Sequence, residues 1–211
     1  MSAVSLAKDP YNIIITGVGG QGNVLASRLL GGMLAEKGFL ITIGETFGAS
    51  QRGGSVMSHL RISGKSVASP QIPRGRADAI VSLEPAEALR VLAAYGNPDT
   101  ILLTNTHPIY PVGVIKGELE YPPVDEMKEA VERILPAAYF LDATERALAL
   151  GNPILTNIVM LGALGRLAVV PFDREDFNEA IALRLAPGQV AINLRAFDEG
   201  YGMVQGHEDA G

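Results

Sequence analysis

Gly17-Val18-Gly19-Gly20-Gln21-Gly22 directly follows the apolar run of residues 11–16 and opens a helix-like pattern over residues 23–37. A strand, a glycine turn and a helix in that order place backbone N–H groups and the positive end of a helix dipole where a phosphate or carboxylate can sit. A second short apolar run, residues 40–43, follows between glycines, and the three pieces read as a βαβ unit in a sheet covered on both faces. The first two strands are therefore expected to be parallel neighbours. Strand signals recur at 79–83, 100–104 and 138–141, alternating with helical patterns at 84–92, 124–135 and 143–150. The expected fold class is α/β, an open, mostly parallel, Rossmann-like sheet with helices on both faces.

Further out, residues 56–63 alternate in part and end at Gly64-Lys65, which predicts a hairpin-like strand pair returning through Val67. Residues 106–123 form a long irregular excursion of prolines and glycines. Asp142 is placed to cap the helix at 143–150, and Gly151 to end it. From Pro153 the chain reads helical at 154–167, 174–185 and 189–201, a helical C-terminal segment. The pattern at 154–167 is apolar almost all round, so that helix is buried on several sides, in this chain's own core or against another chain. Residues 1–10 read as an N-terminal extension, 11–204 as a single domain, and 205–211 as a frayed polar tail.

Composition narrows the function. With 211 residues, 47% hydrophobic, the chain is long enough for one well-buried core. A net charge of -6, with no run among the 17 Lys and Arg residues, argues against a nucleic-acid partner. No signal-peptide core and no window of about 18 apolar residues appear, so the expectation is a soluble, cytoplasmic protein with no membrane partner. The absence of Cys excludes disulfides, thiolate clusters and Cys nucleophiles in this chain.

The candidate site begins with Gly17, Gly19, Gly20, Gln21 and Gly22. Gly17, Gly19 and Gly22 satisfy G-x-G-x-x-G, and Glu45 lies near the end of the second strand, where a ribose-binding acid is sought. Against a dinucleotide stand the extra Gly20 and the Gln21 amide in the turn, and the lack of a following substrate domain with a catalytic His or Lys. A structural turn that packs the helix close to the sheet explains the same glycines. Gln51, Arg52, Gly53 and Gly54 form a second cluster at the carboxyl end of strand two. A guanidinium in a glycine loop can clamp a phosphate or carboxylate, dock into a partner, or stand on the surface. Asn105-Thr106-His107-Pro108 follows a strand and either lines the same crevice or forms a turn capped by Asn105. His59 reads as a structural residue in a strand, and His59, His107 and His207 are too scattered for a metal site. No Walker A, G-x-S-x-G or G-D-G motif occurs, so no catalytic residue is assigned and the chain reads as a component of an enzyme.

These residues together resemble the gamma-type subunit or domain of 2-oxoacid:ferredoxin oxidoreductases, and within them the small-subunit (beta) family of indolepyruvate ferredoxin oxidoreductases. The resemblance runs from about residue 11 to 201. Its carriers are the glycine turn, Gly44-Glu45-Thr46-Phe47-Gly48-Ala49-Ser50-Gln51-Arg52-Gly53-Gly54-Ser55-Val56, Asn105-Thr106-His107-Pro108-Ile109, Leu161-Gly162-Ala163-Leu164 and Asn193-Leu194-Arg195-Ala196-Phe197. Phe47 stands where the family more usually has His. The resemblance implies oxidative decarboxylation of an arylpyruvate with coenzyme A to an acyl-CoA, with electrons passing to ferredoxin. It implies a large alpha subunit that carries thiamine diphosphate, Mg and 4Fe-4S clusters. No cofactor is assigned to this chain; the glycine turn and the Arg52 loop are expected to contact the CoA or substrate end, or the alpha subunit. Isolated, the chain is expected to be inactive and able to pair with itself through the surface meant for its partner.

Overall fold

The computed structural model describes residues 6–48 and 54–204. Gln51, Arg52 and Gly53, the tail and residues 1–5 of the N-terminal extension lie outside the described residues. The six strands are β1 (Tyr11–Val18), β2 (Leu40–Phe47), β3 (Ser55–Ser63), β4 (Ala79–Ser82), β5 (Ile101–Asn105) and β6 (Ala138–Leu141). They form one open sheet in the order β2-β3-β1-β4-β5-β6. The pairs β1–β4, β4–β5 and β5–β6 are parallel.

The sequence expectation for β2 fails. β3 lies between β1 and β2, antiparallel to both, so β1 and β2 run the same way without touching. β2 and β3 pair as an antiparallel hairpin over eight residue pairs, Leu40–Ser63 to Phe47–Val56, and Gly48 N–H donates to Ser55 O at 2.7 Å where they meet the loop. The hairpin docks through β3, whose Val56, Met57, Leu60 and Ile62 are buried, and leaves the more exposed β2 at the edge. No strand returns through Val67 either. Pro70 and Pro73 lack ladder donors, and residues 64–73 instead lie over β2 and β3, with Pro70 O pressed against Gly44.

Among the described residues there are eight α-helices: α1 (Asn23–Glu36), α2 (Pro85–Tyr95), α3 (Val112–Ile115), α4 (Val124–Glu132), α5 (Ala143–Ala149), α6 (Thr156–Leu167), α7 (Arg174–Ala182) and α8 (Pro187–Met203). Successive strand residues point to opposite faces, so Ile13 and Ile15 join Leu60, Ile62, Val81 and Leu103 against α1 and α6. Ile14 joins Met57, Ile80 and Leu102 against α2 and α4. Every residue of α6 except Arg166 is buried, which settles its place in this chain's own core, beneath α8. Gly162 of α6 and Gly200 of α8 allow the two backbones to touch, and Phe197 stacks on Phe177 at 4.7 Å beside them.

Among the described α-helices, α2 and α7 start with an N-cap side chain bonded to their first turn, and the cap expected for α5 is not made. Asp142 makes no cap bond to α5; its carboxylate accepts from the Thr106 hydroxyl. The α5 N-terminus is instead satisfied from the neighbouring strand, where Asn105 Oδ1 accepts from Thr144 N–H at 3.2 Å. Gly151 does follow α5, at φ +88°. Asp173 accepts from the N–H groups of Glu175 and Asp176 at 2.9 and 3.0 Å, while Asp176 takes the Asp173 N–H at 2.8 Å. These bonds, that from Asp176 foremost, hold the Asp173 carboxyl below the usual carboxylate range. Asp173→Ala is expected to cost about 1 kcal/mol at neutral pH. A carboxyl with a lowered pKa in the folded state stabilises above its unfolded value, about 3.9, and loses that contribution as pH falls further. Urea midpoints of the two proteins should therefore differ at pH 7 and converge below about pH 4.

Candidate functional site

After β1 the chain crosses towards β2 on one side; after β3 it moves to β4 on the other. The gap beyond the carboxyl ends of β1 and β4 is thus the switch point, where open α/β sheets form their crevice. The glycine turn occupies it. Gln21 folds back over the turn, accepting from Val18 N–H at 2.7 Å through Oε1 and donating to Leu83 O at 2.8 Å through Nε2. Gly17 lacks a side chain because Gln21 crosses it: a Cβ there would lie 2.5 Å from Gln21 Oε1 and 3.0 Å from Leu83 Cβ. Gly22, at φ +84°, is where the start of α1 meets the start of α6, and Asn157 Nδ2 donates to its carbonyl at 3.2 Å.

Two further N–H groups of the turn are engaged besides that of Val18. Gly19 donates to Gly54 O at 2.9 Å and Gln21 to Val18 O at 3.2 Å. The first of these bonds ties the residue that leads into β3 to the glycine turn. Asn105 is fully buried below the crevice; Nδ2 donates to Leu83 O at 3.1 Å and to Thr144 Oγ1 at 3.0 Å. Its side chain therefore positions α5 and makes no part of the crevice wall.

The crevice is a cleft of about 500 Å³. Gly19, Gly20 and Gln21 form one wall, His107 and Ile109 a second, and Thr144, Asn152, Pro153, Ile154 and Thr156 the third. The third wall comprises the start of α5 and the short 3-10 turn Pro153–Leu155 that leads into α6. None of these lining side chains carries a fixed charge, and His107 is the one titratable group among them. The cleft offers amides, hydroxyls and an apolar rim rather than a set of catalytic carboxylates. Sequence reasoning missed the third wall. The Asn152-Pro153 pair at a helix start and Asn157, polar on an apolar helix, were the available signals.

A dinucleotide does not fit this arrangement. Glu45 stands on β2 at the sheet edge, two strands from the turn, and is ion-paired with Arg28 at 3.3 Å. The fingerprint requires the acid at the end of a strand adjacent to β1. His59 is buried in β3, accepts from Ile72 N–H at 3.3 Å and meets Tyr95 edge-on; burial pushes its pKa below the ordinary value. Among the described residues no group of three metal-ligating side chains occurs, and no helix is long and apolar enough to cross a membrane.

The family model for pyruvate ferredoxin/flavodoxin oxidoreductase matches residues 12–203. Indolepyruvate oxidoreductase subunit IorB of Thermococcus kodakarensis is 41% identical over 191 residues, 90% of this chain and 94% of that protein. The subunit of the same name from Archaeoglobus fulgidus is 38% identical over 190 residues, 90% of this chain and 93% of that protein. Among solved structures, pyruvate oxidoreductase subunit PORC of Thermotoga maritima superposes with a TM-score of 0.69 at 25% identity, covering 94% of this chain and 98% of that one.

Proposed function

The chain belongs to the pyruvate ferredoxin/flavodoxin oxidoreductase family as a small subunit of the indolepyruvate type, and on that premise we propose that it closes an active-site cleft whose redox and carbanion chemistry lies on a large partner subunit. The observation that carries this is 41% identity to such a subunit over 90% of a chain with no Cys. The residues present do not fit the cofactors of the reaction: without thiolates there is no ligand set for an iron–sulfur cluster, and no acidic cluster among the described residues suits a thiamine diphosphate magnesium. Those groups are assigned to the large alpha subunit.

The overall reaction consumes an arylpyruvate and CoA, releases CO2 and the acyl-CoA, and passes two electrons to ferredoxin through the complex. This chain's share is to bind and enclose. The neutral amide- and hydroxyl-lined cleft suits an extended amide-bearing chain such as the pantetheine arm of CoA. Arg52, outside the described residues, is the cation proposed for a phosphate, a carboxylate or the partner's surface, since the cleft lining carries no fixed charge.

Reconstitution tests this. The chain mixed with the large subunit from the same source is expected to catalyse arylpyruvate- and CoA-dependent reduction of ferredoxin, with aryl preferred to alkyl 2-oxoacids, while either subunit alone shows none. Turnover by this chain alone, supplemented with thiamine diphosphate, Mg and NAD, would overturn the proposal, as would a large subunit fully active without it.

A further inference from the structure

The second wall of the cleft belongs to the excursion at 106–123, a strap between β5 and α4 whose only regular element is the single turn α3. Such a long connection needs fixed anchors to hold a wall in place. Its anchor is Glu84, at the end of β4 and 1% exposed. Glu84 Oε2 accepts from Glu87 N–H at 2.8 Å and so caps α2. Oε1 accepts from the Tyr121 hydroxyl and from Ile109 N–H at 3.4 Å. One oxygen thus gathers both ends of the strap, where the Tyr110 and Tyr121 rings also meet edge-on at 5.1 Å.

Capping alone does not require this residue: shorter Asp, Asn, Ser or Thr side chains do it. Among the described residues no Lys or Arg pairs with Glu84, so three donated hydrogen bonds compensate its buried charge. Burial, the bond to Glu84 and the carboxylate's charge push the Tyr121 phenol well above its ordinary pKa, keeping it a donor. The preceding carbonyl, Leu83 O, receives both Gln21 and Asn105. Two adjacent residues therefore tie together the glycine turn, α5 and the strap.

We propose that Glu84 is a positioning residue for the reaction of the complex: its carboxylate latches the strap so that His107 and Ile109 hold the second wall of the cleft. The proposal rests on the assignment of the cleft to that reaction. Tyr121→Phe deletes one strap bond and spares the α2 cap; Glu84→Gln sets an amide donor against backbone donors on one side or the other. In the full-length chain, hydrogen exchange of Tyr121→Phe is expected to rise about tenfold within 107–121, as befits losing a bond to a charged acceptor, with β1, β4 and α2 unchanged. In the reconstituted complex the KM for CoA or arylpyruvate is expected to rise several-fold in both variants while kcat stays within about twofold, a split that general destabilisation does not produce. Unchanged exchange in the strap, or a rise spread over the whole sheet, overturns the latch. A rise confined to the strap with unchanged KM overturns the positioning role while leaving the subunit assignment intact. An inactive wild-type complex strikes that assignment instead, with the exchange result still deciding the latch.

Discussion

Gly200→Ala is expected to destabilise the fold by about 3 kcal/mol, lowering the melting temperature by roughly 6–12 °C. A Cβ at Gly200 would overlap Val159 O and lie 2.6 Å from that carbonyl carbon and 3.0 Å from Ala163 N. On the facing helix, a Cβ at Gly162 would overlap Phe197 O and lie 2.8 Å from its carbonyl carbon. All these neighbours are backbone atoms, so no rotamer change relieves the overlap, and α6 and α8 must move apart. Separation also loosens Phe197, fully buried against Phe172 and Phe177. Alanine's helix propensity, worth about 1 kcal/mol over glycine, offsets only part of this. Gly32→Ala is the control: it lies inside α1 with no atom within 4 Å of its Cβ position, so the propensity gain should appear undiminished. Differential scanning calorimetry should show shifts of opposite sign. Equal melting of the Gly200 variant and wild type would mean that the helices do not cross there.

The same crossing shows what was legible in the sequence. Buried strands announce themselves because Ile13-Ile14-Ile15 and Ile80-Val81 face core on both sides of the sheet, and the near-continuous apolar character of α6 marked its burial. Their order did not announce itself. Whether residues 40–47 join β1 through a crossover or pair with residues 55–63 is a matter of long-range strand pairing, which periodicity does not encode. Asp142 failed as a cap because the Thr106 hydroxyl, adjacent only once β5 and β6 pair, competes for it. The glycine turn was legible as a site and ambiguous as chemistry: G-x-G-x-x-G is satisfied here by Gln21 crossing Gly17 and by Asn157 meeting Gly22, with no ribose-binding acid alongside. The Asn152–Thr156 wall showed in the sequence only as the Asn152-Pro153 helix-start pair; its place beside the turn, like that of Glu84, follows from the tertiary packing.

Gly22→Val carries the largest expected effect, about 4 kcal/mol, from two separable causes. Gly22 has φ +84°, a left-handed conformation that costs a β-branched side chain about 1–2 kcal/mol. Its Cβ would also overlap Asn157 Nδ2 and come within 3.2 Å of Asn157 Cγ. Asn157 is 3% exposed and lies at the start of α6, so it cannot swing into solvent. Gly20→Ala separates the causes: its φ is +103° but no atom lies within 4 Å, so strain alone applies and a loss of about 1–2 kcal/mol is expected. Urea titration of both variants measures the difference. Because Gly22 joins the starts of α1 and α6 directly behind the cleft, its variant should lose more activity in the reconstituted complex than Gly200→Ala does at a temperature where both remain folded. Equal activity losses would show that the turn contributes stability to the fold and nothing local to the cleft.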